Sequence, residues 1–180
     1  MQNTVTMYIA LLRGINVGKN RRVDMKKLKM LFERLGFINV LTYINSGNII
    51  FESDKKVLEI RREIEPAMKK EFKFDIPILI KSRMEMQKIA EAIPKEWQND
   101  TKQRSDVAYL FNEIDFEETL DEIPVNREYT DIRYTKGAIF WNIDRANYNK
   151  SRLNKLIGHK IYQLMTVRNV NTARFLARME

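Results

Sequence analysis

The apolar run from Thr4 to Leu12, TVTMYIALL, stops at Arg13-Gly14 and predicts an opening β-strand. In DMKKLKMLFERLG, Met25, Leu28, Leu31, Phe32 and Leu35 recur at helical spacing, with Asp24 placed as the N-cap and Gly36 as the stop. NVLTYI and NIIFES predict two short strands joined through Asn45-Ser46-Gly47-Asn48. KKVLEIRREIEPAMKKEF predicts a second helix, kinked or broken at Pro66. DIPILIKS predicts a strand from Asp75 to Lys81. The order is βαββαβ.

The second half repeats that order less clearly. MEMQKIAEAI predicts a short connecting helix and PKEWQNDTKQRSD a polar linker. VAYLF is a strand and DFEETLDEI a helix. YTDIRY and AIFWNI form a hairpin around Thr135-Lys136-Gly137, and KSRLNKLI predicts a helix. For the last strand, IYQLMTV is the one candidate. A C-terminal amphipathic helix follows, with Thr166, Arg168, Asn169, Asn171 and Thr172 crowded at its entry and Thr172, Phe175, Leu176 and Met179 as its docking face. The expected fold is α+β. It has two ferredoxin-like βαββαβ-type halves with antiparallel sheets, the second degenerate, plus the C-terminal helix. The halves span 1–82 and 105–180, with the connecting helix and linker at 83–104.

In such a sheet the loop after strand one and the hairpin between strands two and three lie at one end, beside the N-terminus of the first helix. That end collects Arg13, Asn16, Lys19, Asn45, Ser46 and Asn48, with Gly14, Gly18 and Gly47 among them. Arg forks onto phosphate or carboxylate, Asn and Ser both donate and accept, and glycine lets a ligand approach the backbone. The group suits an anionic, hydroxyl-rich ligand at a helix N-terminus. Tight-turn chemistry accounts for NSGN equally well. RGINVGKN has neither Walker nor dinucleotide spacing. At the tail, one asparagine suffices for a cap. The second asparagine, with Arg168 and Thr166, exceeds capping needs and either docks the chain end to a neighbouring loop or binds an anion. Lys150 lies in IFWNIDRANYNKSRL, where aromatic and basic residues interleave as they do in base-stacking surfaces and also in an ordinary strand-to-helix junction.

Charge sharpens this picture. The net charge of +8 is unevenly spread. Arg13 to Arg34 carries eight Lys/Arg against two acids, and Arg145 to Glu180 eight against one, while Glu85 to Asp131 carries five against thirteen. Basic segments attract phosphates, although solvated helix faces produce the same counts. Composition removes other chemistries. With no cysteine there is no disulfide or thiolate, which fits a reducing, cytoplasmic setting. The single histidine, His159, excludes a multi-histidine metal site and has no evident serine or acid partner. Asp24 reads as a cap, Ser46 lacks a base, and Asp106, Asp131 and Asp144 lack metal-type spacing. No cofactor is expected. The first apolar run is too short for a signal peptide or membrane span, so no membrane partner is expected.

Three stretches in one order, YIALLRGINVGKN, TYINSGNIIFES and TVRNVNT, resemble the bacterial proteins grouped as domain of unknown function 1697. The resemblance runs through nearly the whole chain. It implies a two-part α+β fold with ferredoxin-like halves, and it implies no known activity, substrate or cofactor. The family's motif positions fall on Arg13, Gly14, Asn16, Gly18, Asn45, Ser46, Gly47 and Asn48, and in the tail on Thr166, Arg168, Asn169 and Thr172. Many family members carry tryptophan after the Arg-Asn pair, where this chain has Val170, and Ser-Lys-Leu where it has Ser151-Arg152-Leu153.

The functional expectation is a cytosolic protein binding a nucleotide or nucleic acid through these loops. The alternatives are an enzyme on a small phosphorylated or nucleotide-like substrate, and a protein-interaction module whose polar motifs are structural.

Overall fold

In the first half, a computed structural model of residues 4–179 forms β1 (Thr6–Leu12), α1 (Met25–Arg34), β2 (Ile38–Tyr43), β3 (Asn48–Ser53), α2 (Val57–Phe72) and β4 (Ile78–Ser82). The sheet order is β2-β3-β1-β4 with every pairing antiparallel, which puts β1 and β3 in the centre. Tyr8, Ala10 and Leu12 alternate onto the helix-covered face, where they meet Ile49, Phe51, Ile78 and Ile80. Leu28, Leu31 and Phe32 of α1 and Ile60, Ile64 and Met68 of α2 complete this core. Phe51 meets Phe32 edge-on at 5.3 Å and Phe37 at a tilt at 4.9 Å between ring centroids, anchoring α1 to the central strand β3. Asp24 caps α1 as expected. The helix α2 continues through Pro66 rather than breaking there.

The described residues divide into two compact units between Arg83 and Met84. Beyond α3 (Arg83–Ala92), the second unit repeats the sheet with β5 (Gln103–Leu110), β6 (Asp131–Thr135), β7 (Ala138–Asp144) and β8 (Met165–Asn169), in the order β6-β7-β5-β8. Its degeneracy lies in the helices, not the sheet. DFEETLDEI yields only the single turn α4 (Thr119–Glu122), where the Thr119 hydroxyl donates to the Ile114 carbonyl at 2.7 Å. KSRLNKLI is not a continuous helix. The turn α5 (Tyr148–Ser151) ends because Arg152 takes φ 58°, and a 3-10 turn follows over Leu153–Lys155. The Ser151 hydroxyl fixes that break by donating to Tyr148 O at 2.6 Å and accepting from Leu153 N–H at 3.2 Å.

Two boundaries move. The fifth strand begins at Gln103, inside the expected polar linker, because its backbone pairs with β7 from Gln103 opposite Asp144 onward, with the Asn142 amide donating to the Gln103 and Ser105 side chains. The final strand is MTVRN, so Thr166 and Arg168 belong to a strand and not to a helix entry. The helix α6 (Val170–Arg178) docks through Val170, Thr172, Ala173, Leu176 and Ala177, while Phe175 stays 40% exposed.

Candidate functional site

Both polar loops of the first unit do lie at one end of its sheet, and the chain fastens them together. Leu12 N–H donates to the Gly47 carbonyl at 2.8 Å, and Gly47 adopts φ +83°. Asn16, at φ 55°, donates from its side-chain amide to Val23 O at 3.0 Å and Asn45 O at 2.9 Å, and accepts from Val23 N–H at 2.9 Å. Asparagine tolerates this left-handed backbone better than other residues with a Cβ. Both amide hydrogens of Asn16 are therefore committed to joining the β1–α1 loop to the hairpin. Fully buried Asn48 likewise commits its amide to Tyr43 O at 2.9 Å and Ser46 Oγ at 3.1 Å. These asparagines shape the loops, as turn chemistry alone would have them do.

Two N–H groups of the α1 N-terminus are taken by the cap. The carboxylate of Asp24 accepts from Lys26 N–H at 2.8 Å and Lys27 N–H at 3.2 Å. Those bonds, from Lys27 first and Lys26 second, hold its pKa below the usual aspartate value. Four of the side chains this end presents to solvent are cationic. Lys19, Arg22, Lys26 and Lys27 are all exposed. Arg13 is half-buried, with its N–H donating to Pro77 O at 2.9 Å. Arg21 latches the loop by donating to Asp75 O at 2.6 Å, with its guanidinium 5.1 Å from the Phe74 ring centroid. Asn45 is exposed and Ser46 half-buried.

The tail residues have structural work of their own. Asn169 is the N-cap of α6, accepting from Thr172 N–H at 2.9 Å. Asn171 donates to Asn99 O at 3.1 Å, and Arg174 donates to Trp97 O at 2.8 Å and Pro94 O at 2.9 Å, so the helix is bonded to the segment before β5. Arg168 is 7% exposed on β8 and donates to Thr166 Oγ1 at 3.0 Å and Val167 O at 2.8 Å. Burial pushes its guanidinium down to about 10, so it remains a cation at neutral pH. Lys150 lies 5.3 Å over the Tyr129 ring. His159 caps the 3-10 turn Lys160–Leu164.

Sequence reasoning gave no sign of an open groove of about 840 Å³ in the second unit, lined in part by Asp121, Arg127, Glu128, Tyr129, Asp131 and Asp144. Its acids repel phosphate, and Asp131 is paired with Arg133 at 2.9 Å. Among the described residues no group of three or more acids or histidines is placed to hold a metal. No helix among them is long and apolar enough to cross a membrane.

The fold recurs in a solved structure, a conserved bacterial protein from Streptococcus pneumoniae. The two are 26% identical, with a TM-score of 0.85 over 97% of this chain and 98% of the other. No curated protein matches the chain. The model of a family described as protein of unknown function (DUF1697) matches residues 5–141, which include both loops of the first unit and stop short of the tail motif. By that match, over well more than half its length, the chain belongs to the DUF1697 family.

Proposed function

We propose that the loop end of the first sheet binds a phosphate-bearing ligand, a nucleotide or nucleic acid, in a cytoplasmic setting. The observation that carries this reading is a loop pair hydrogen-bonded together through Asn16 and Gly47, with Lys19 and Arg22 exposed on the first loop and Lys26 and Lys27 exposed on the first turn of α1. Loops already fastened to each other lose less freedom when a ligand binds, which favours binding. The asparagines act as scaffold and the cations as ligands, with Arg13, Asn45 and Ser46 beside them.

One observation favours a second reading, an interaction module with structural polar motifs: the amides of Asn16, Asn48 and Asn171 are bonded within the chain. Thermal-shift titration with mononucleotides and short oligonucleotides separates the two. A ligand of the folded state raises the midpoint by mass action, by about 2.7 kcal/mol of stabilisation at a hundredfold excess over Kd. A midpoint unmoved by every nucleotide and oligonucleotide would favour the module.

A further inference from the structure

Two aliphatic side chains stand at the same loop end. Val17 is 74% exposed and Ile44 49% exposed. Each is one residue away from the Asn16–Asn45 hydrogen bond that fastens the loops. Single exposed aliphatics are ordinary on a protein surface. The backbone of Ile44 is not. It has φ 49°, in the left-handed region that a β-branched residue avoids, at a turn where asparagine or glycine would sit without strain. Ile44 also takes no place in the core of the first unit. The chain therefore holds an isoleucine in an unfavourable conformation with half its surface in water.

Exposed Lys19 lies two residues beyond Val17 on the same loop, and Arg22 belongs to that loop as well. A partner that complements this tip must supply negative charge and apolar surface together. Inorganic phosphate, sugar phosphates and polyphosphate supply only the charge. A nucleobase supplies a flat apolar face, and an unpaired strand supplies it next to a regular row of phosphates. In a duplex those faces are stacked away, and reaching them costs a few kcal/mol per base step.

We propose that this tip takes single-stranded nucleic acid, with phosphates on Lys19 and Arg22 and bases against Val17 and Ile44. The proposal rests on the phosphate-binding reading above and goes further by naming the ligand class.

The test uses the full chain and fluorescence anisotropy. The probes are a labelled strand of about twelve nucleotides, within the usual range for such sites, an abasic strand of the same length and charge, and phosphatidylglycerol vesicles. The variants are Ile44→Asn, which suits the left-handed backbone and so does not endanger folding, and Val17→Ser. The unmodified protein should prefer the base-bearing strand by roughly tenfold. Each variant should shrink that preference while leaving the salt dependence unchanged. Equal affinity for both strands would overturn this inference and leave the phosphate reading intact. Binding to neither strand would overturn this inference and the nucleic-acid form of the phosphate reading, while a mononucleotide ligand would still raise the midpoint in the thermal-shift titration. Binding to vesicles without binding to the base-bearing strand would assign the tip to a lipid surface and overturn the proposal.

Discussion

Replacing Gly47 by alanine should destabilise the first unit by two separable effects. At φ +83° an L-residue is strained, which costs roughly 1–2 kcal/mol. The added Cβ would also lie 2.7 Å from Ile15 Cδ1 and 2.8 Å from Leu12 Cβ. The isoleucine tip can swing aside. The Leu12 Cβ cannot, because it sits on central strand β1 with its own N–H bonded to Gly47 O. Overpacking of this kind adds about 1–3 kcal/mol. The sum is about 2–5 kcal/mol, or a melting point lower by roughly 8–40 °C for a unit of this size. Gly14→Ala is the internal control. Its φ is +67°, but a methyl group there would meet nothing within 4 Å, so only the conformational part is lost. Urea melts of both variants, followed by far-UV circular dichroism, measure the difference. If Gly47→Ala is no more destabilising than Gly14→Ala, the close approach of hairpin and strand is wrong.

Asn16→Ala removes three hydrogen bonds and puts alanine at φ 55°, so it should cost about 2–4 kcal/mol in the same melts. Asn169→Ala should cost about 1 kcal/mol through loss of the α6 cap, seen as faster amide exchange in the first turn of that helix. Asp115 supplies a pH test. Burial raises its pKa, but the Gly137 N–H, then Lys136 and Tyr134, more than offset that and hold it below 3.8. The folded state then binds fewer protons than the unfolded state, so the stabilisation is present above pH 3.8 and is lost as the pH falls through the folded value. Asp115→Asn should be less stable than the parent at pH 6, with the gap narrowing in paired urea melts as the pH falls below 3.8.

The first sheet was legible because its signals agree. The apolar run in TVTMYIALL, the spacing from Met25 to Leu35 and the Asn-Ser-Gly-Asn turn all point to one order of strands and helices, and the structure follows it. The second unit is harder to read because its connections are built from single turns and 3-10 segments, whose boundaries are set by Ser151, Thr119 and a left-handed Arg152 rather than by periodicity. The last strand is the clearest case. Thr166 and Arg168 look like polar helix-entry residues, yet they alternate with Met165 and Val167 and pair with Tyr109 and Val107 of β5. Only the partner strand makes that alternation a strand. At the candidate site the residue types were legible and their roles were not. A sequence shows an asparagine but not whether its amide is spent on the chain. Ile44 was invisible for the opposite reason: its hydrophobicity suits the end of β2, and its positive φ is a property of the folded turn.

The sharpest check on phosphate binding is the salt dependence of single-strand binding before and after Lys19, Arg22, Lys26 and Lys27 are all changed to glutamine. Four phosphate contacts on a single strand imply a slope of log K against log salt of roughly −3 for the parent protein. The quadruple variant should lose most of that slope together with its affinity, while its melting point is preserved. A variant that binds with the parent's affinity and slope would refute phosphate binding at this end of the sheet.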